Sequence, residues 1–111
     1  MDDLLSNKCI PCSIGDIPLD EDTIGEYIKS LDGWSVIDNK VIEKKYKFKT
    51  FLDGLDFINQ IGGVAEEEGH HPDLMLSWGK VVVRLTTHKI KGLHKNDFIM
   101  AAKIDELYDK I

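Results

Sequence analysis

The stretch Glu66-Glu67-Glu68-Gly69-His70-His71-Pro72-Asp73 sets two of the chain's four histidines side by side, with three acids before them and a proline after. Histidine is the side chain that gains and loses protons most readily near neutral pH. A histidine cluster beside a carboxylate can therefore do acid–base work or hold a metal. Glu66 and His70 are four residues apart, so a helix reaching that far would put both on one face, where they can meet. Pro72 cannot continue a helix and pushes His71 towards extended backbone. The pair is expected at a helix-to-strand junction. His88 follows a second stretch of alternating apolar residues, and a strand leaving the junction and another returning would bring it back beside His70 and His71. Two or three histidines and a carboxylate could also ligate zinc. Adjacent histidines on an extended chain point apart, however, and suit a single ion poorly.

The elements that would place these residues are readable in the pattern. Thr50 to about Gly69 reads as the clearest helix, with Thr50 and Asp53 forming its cap and Phe51, Leu55, Ile58, Ile61 and Ala65 recurring at helical spacing. It delivers Glu66 and His70. Asp73 to Trp78 and Lys80 to His88 read as a hairpin turning near Gly79, with Val81, Val83 and Leu85 on one face and Val82, Arg84, Thr86 and His88 on the other. An earlier hairpin is predicted from Trp34 to Ile37 and Val41 to Phe48, where Ile42, Tyr46 and Phe48 share a buried side. Helices over Asp20 to Leu31 and His94 to Tyr108 flank the whole, the last with Asp97 in its first turn, where the helix dipole favours an acid. The order helix, two strands, helix, two strands, helix implies an α+β fold of two layers, a four-stranded antiparallel sheet with three helices on one face. Residues 1–19 read as an N-terminal arm and 20–111 as the domain.

The 111 residues suffice for one domain with a core, and 42% hydrophobic content argues against disorder. The net charge of −6 argues against a nucleic-acid partner, because phosphate binding needs a basic face. No apolar run approaches the roughly 20 residues of a membrane helix, and the acids of Met1-Asp2-Asp3 do not suit a secretory leader. Two cysteines cannot make a disulfide framework, so a reducing, cytoplasmic setting is expected. Cys9 and Cys12 have the spacing of a zinc half-site or redox pair, but no second pair completes four ligands. The arm is expected to lie extended against the body. Glu67 and Glu68 read as a solvated face and Trp34 as core. Trp78 reads equally as core or as a pocket wall.

Taken together, Glu66-x-x-x-His70-His71-Pro72, then Trp78, His88 and Asp97, resemble the signature of pterin-4a-carbinolamine dehydratases. Leu31-Asp32-Gly33-Trp34 resembles that family's L-x-G-W segment, and Thr87-His88 with Gly92-Leu93 its T-H…G-L segment. Cys9-Ile10-Pro11-Cys12 is similar to an arm of some members. The resemblance covers about Asp20 to Ile111. His94 departs from it, since many members carry threonine or serine there and histidine is a poorer cap. Trp78 stands for the commoner tyrosine. The resemblance implies loss of water from a 4a-hydroxytetrahydropterin to give the quinonoid dihydropterin, in tetrahydrobiopterin recycling. An acid protonates the departing hydroxyl and a base takes a ring-nitrogen proton. It implies that His70, His71 and His88 are catalytic, that Glu66, Trp78 and Asp97 contribute to pterin binding or hold site histidines, and that no cofactor or metal is required. It also implies a homodimer or homotetramer and, as in animal members that serve as dimerisation cofactors of a homeodomain transcription factor, a protein partner. A non-catalytic binding module and a pterin role in folate or molybdopterin metabolism are the alternatives.

Overall fold

The computed structural model describes residues 4–11 and 16–111. The elements run α1 (Glu21–Lys29), β1 (Ser35–Ile37), β2 (Val41–Lys47), α2 (Phe51–Glu68), β3 (Asp73–Ser77), β4 (Lys80–Leu85) and α3 (Lys95–Asp109), with a 3₁₀ turn at His88–Ile90. The four strands form one open antiparallel sheet in the order β1-β2-β4-β3. This is the α+β class and element order expected, and no described helix is long and apolar enough to cross a membrane.

Local chemistry explains where the helices begin. Asp20 accepts from the Thr23 N–H at 2.8 Å and caps α1, and Thr50 Oγ1 accepts from the Asp53 N–H at 3.1 Å and caps α2. The sheet is half-buried. Ile42, Tyr46, Val81, Val83 and Leu85 point inward and are almost wholly covered, while Glu43, Lys45 and Arg84 point outward, where Arg84 Nε meets Glu43 at 2.6 Å. The helices therefore all gather on the inner face. α2 is rotated from the expected stripe: its covered residues are Gly54, Phe57, Ile61 and Ala65, and Phe51 is exposed. The reason is Phe57, whose ring packs among Tyr46, Phe48 and Tyr108 at centroid distances of 4.9 to 5.7 Å. Gly54 lets that helix sit close on the sheet, since a side chain there would meet Leu76 at 3.0 Å.

α1 docks by stacking Tyr27 on Phe98 of α3 at 5.2 Å. The far end of α3 is tied to the first hairpin by Asp105, which accepts from Trp34 Nε1 at 3.0 Å, Lys44 Nζ at 2.8 Å and the Tyr46 hydroxyl at 2.5 Å. Burial, and then the bond to Asp105, push the Tyr46 phenol far above its ordinary value. Trp34 is core, as expected. Residues 4–11 of the arm lie against the body, with Leu4 buried. Cys12, the second member of the Cys9–Cys12 spacing, lies outside the described residues.

Candidate active site

The site forms where α2 stops. Glu68 is the last helical residue, and Gly69 follows in the left-handed region at φ 68°, which glycine adopts without the penalty a side chain would bring. That turn breaks the four-residue spacing on which a Glu66–His70 contact depended. His70 instead swings inward and its Nε2 meets Asp97 Oδ1 at 2.6 Å, while His71, one residue on, is the partner of Glu66. The two pairs differ in environment. The His70 side chain is 12% exposed and Asp97 fully buried, whereas the His71 and Glu66 side chains are 60% and 78% exposed.

Asp97 sits in the first turn of α3, and all its contacts are with donors. Its Oδ2 accepts from the Thr87 hydroxyl at 2.8 Å and from the His94 backbone N–H at 3.0 Å. A carboxylate accepts and does not donate, so the contact fits a His70 tautomer with its proton on Nε2. The expectation that Asp97 holds a site histidine thus resolves to His70, and Asp97 lies beneath the cleft rather than on its surface. His94 caps α3 after all: its Nδ1 accepts from the Asn96 N–H at 3.0 Å.

β4 ends at Leu85, short of the expected His88. The chain then folds back so that the Thr87 N–H donates to Gly92 O at 2.9 Å, and the loop so closed carries His88 at the head of its 3₁₀ turn. Gly92 is required there because a side chain would lie 2.8 Å from Pro18. The loop brings His88 to the same cleft as His70 and His71. The cleft measures about 530 Å³ and is lined also by Thr86, Thr87, Lys89, Glu68 and the arm residues Cys9, Ile10 and Pro11. That volume suits a small bicyclic molecule. A second cleft of about 480 Å³ lies by Asp105 and the acids Asp32, Glu106 and Asp109, with no histidine in its lining.

Trp78 stands apart. It occupies the turn between β3 and β4, at the opposite end of β3 from Pro72, is 77% exposed and does not line the cleft. It is therefore neither core nor a wall of the cleft within one chain. Glu68 also departs from the solvated face expected of it: its side chain is 5% exposed, and its Oε1 accepts from the Cys9 N–H at 2.8 Å. Burial works to raise its carboxyl, but the Cys9 bond and the charges of Lys103 and Lys8 outweigh that and hold it low. Burial, and then Glu68, push the Cys9 thiol up to about 12. Asn96, buried and bonded to the arm, is likewise a residue that the histidine pattern did not reveal. Among the described residues no three histidine, cysteine or acidic side chains gather closely enough to hold a metal ion. The arrangement is one imidazole fixed by a buried acid, with two more at the mouth, which is equipment for moving protons.

Residues 17–107 match the family model described as pterin 4 alpha carbinolamine dehydratase. A protein from Alkaliphilus metalliredigens, named provisionally as a pterin-4-alpha-carbinolamine dehydratase, is 51% identical over 107 residues, covering 96% of each chain. One from Halorhodospira halophila, named in the same provisional way, is 44% identical over 105 residues. Among solved structures, a transcriptional coactivator/pterin dehydratase from Brucella melitensis is similar at TM-score 0.77 and 33% identity, over 82% of this chain and 98% of that one. A pterin dehydratase-like protein described as a RuBisCO assembly factor in the alpha-carboxysome shares the fold at TM-score 0.59 and 19% identity.

Proposed function

Because the chain belongs to the pterin 4a-carbinolamine dehydratase family, we propose that it removes water from a 4a-hydroxytetrahydropterin by histidine acid–base catalysis. The C4a–O bond breaks and the hydroxyl leaves with a proton as water. A ring nitrogen gives up its proton, and a C=N bond forms to give the quinonoid dihydropterin. No electrons are gained or lost, so a proton donor and a proton acceptor suffice. One positioned proton-transfer group contributes about 10² to 10⁴ in rate.

The observation that carries this reading is the buried Asp97 holding His70 at a cleft that His71 and His88 also line. In this scheme Asp97 fixes the orientation and tautomer of His70, so the imidazole is already held in place when substrate arrives. His71, exposed and paired with Glu66, and His88, on its loop, reach the cleft from elsewhere and can serve the departing hydroxyl and the ring's polar edge. Glu66 acts through His71 in this scheme. Trp78 would contact a pterin only across a subunit boundary. We infer a homo-oligomer from exposed Met75 and Trp78, on and beside the edge strand β3. We infer a cytoplasmic setting from the two cysteines, which fit a reducing compartment.

The test is turnover of a 4a-carbinolamine by His70→Ala, His71→Ala and His88→Ala, each checked for folding by circular dichroism and corrected for the uncatalysed reaction. The histidine that acts as the bond breaks should lower kcat, and one that only grips the ring should raise KM. If all three folded variants keep wild-type turnover, the dehydratase reading fails. A second reading, a partner-binding module without turnover, draws on the same exposed residues and on the coactivator named among the solved relatives. It predicts no wild-type activity above background.

A further inference from the structure

We propose that the arm segment Cys9–Pro11 is a fixed wall of the pterin cleft, with Ile10 as the apolar surface that one face of the ring covers and Asn96 as the positioning residue that latches it. The proposal rests on the dehydratase reading for its ligand but not for its geometry.

The backbone of this segment is fastened more firmly than a trailing arm requires. The Asn96 amide bonds both ways to Ile10: Oδ1 accepts from the Ile10 N–H at 3.0 Å, and Nδ2 donates to the Ile10 carbonyl at 2.6 Å. A neighbouring strand would make the same pair of contacts. Glu68 takes the adjacent Cys9 N–H at 2.8 Å. Both anchors are buried, with Asn96 2% exposed and the Glu68 side chain 5% exposed. Lys103 and Lys8 stand 3.7 and 3.8 Å from Glu68 and answer its charge.

Against that fixed backbone, the Ile10 side chain is left 62% exposed at the cleft. Burying two polar anchors to hold an isoleucine out to solvent gives no folding advantage in itself, because the apolar surface still faces water. A flat heteroaromatic ring resolves this. Its edges are polar and meet the imidazoles and threonines, and its faces are apolar and would cover Ile10 and Pro11. Because the wall is ordered before substrate arrives, binding does not have to order it. Asn96 also adjoins Asp97, so a single turn of α3 sets both the wall and the His70 imidazole.

The wall grips the ring equally before and during reaction, so its loss should appear in KM and not in kcat. The experiment uses the full chain with Ile10→Ala and Asn96→Asp. Asn96→Asp keeps the acceptor for the Ile10 N–H but sets a carboxylate oxygen against the Ile10 carbonyl. Four quantities are read: KM and kcat for the carbinolamine, the affinity for biopterin as an unreactive oxidised pterin, and the alkylation rate of Cys9 at pH 8 by peptide mass spectrometry. Ile10→Ala should raise KM and weaken biopterin about five-fold, with kcat within about two-fold. Asn96→Asp should do the same and also speed Cys9 alkylation at least about ten-fold, because the released thiol regains its ordinary acidity and access. Unchanged KM and biopterin affinity in Ile10→Ala overturns the wall, whatever Asn96→Asp does. So does a loss confined to kcat. If the wild type turns over no carbinolamine, the dehydratase reading falls by itself. Biopterin binding still decides the wall, which stands if Ile10→Ala weakens it and falls if it does not.

Discussion

Replacing Asp97 by Asn tests the one contact on which the proposed mechanism depends. The substitution keeps shape and volume but removes a charge and one acceptor. Two of the three donors on Asp97, the Thr87 hydroxyl at 2.8 Å and the His94 N–H at 3.0 Å, share Oδ2. The asparagine oxygen will stay with them, so its NH₂ must face His70 Nε2 in place of Oδ1. An amide N–H cannot accept, and His70 must then move its proton to Nδ1. Nδ1, which carries no proton in the Nε2–H tautomer, becomes a donor. The loss should be the worth of one acid–base group, about 10² to 10³ in kcat, with KM changed by less than about three-fold. Stability should fall by about 1–2 kcal/mol, as a charge-assisted bond becomes a neutral one, and the melting temperature by about 5–10 °C. The assay is stopped-flow dehydration with the spontaneous rate subtracted, beside a thermal melt. A folded Asp97→Asn variant with kcat within about three-fold of wild type would refute the reasoning.

Three further outcomes are expected. His94→Ala removes the Nδ1 acceptor for the Asn96 N–H and should cost about 1 kcal/mol, while His94→Ser should recover it; differential scanning calorimetry decides, and an unchanged melting temperature for the alanine variant would dismiss the cap. Turnover should survive dialysis against a chelator, since His70 is engaged by Asp97 and His71 by Glu66; activity abolished by EDTA and restored by zinc would overturn that. Light scattering at micromolar concentration should give more than one chain per particle, because Met75 is 60% and Trp78 77% exposed; a strict monomer would count against it.

Much of the fold could be read in the chain because caps mark helix starts and alternation marks the covered faces of strands. Thr50 with Asp53 marks the start of α2, and the alternation of Val81, Val83 and Leu85 marks the covered face of β4. What could not be read depended on contacts distant in sequence. Phe51 and Phe57 look alike to a periodicity argument, and only the aromatic cluster with Tyr46 and Tyr108 selects Phe57 for the covered face of α2. Glu68 reads as one more acid in a run of three, but the arm, 59 positions earlier, returns to cover it.

The histidine pairs show the same division within the site. Spacing alone allowed Glu66 to meet His70, and a helix continued by one more turn would have made that contact. The resulting pair would have been exposed, where solvent screens an ion pair and leaves it worth little. Gly69 prevents this by taking positive φ, at the cost of ending the helix. His70 is thereby delivered to a carboxylate with no exposure at all, where a hydrogen bond is stronger and its geometry fixed by two other donors. The exposed acid passes to His71. One glycine thus divides two chemically identical side chains into a largely covered, oriented imidazole and an exposed one. A reaction that needs both a fixed proton acceptor and an accessible proton donor is served by that inequality.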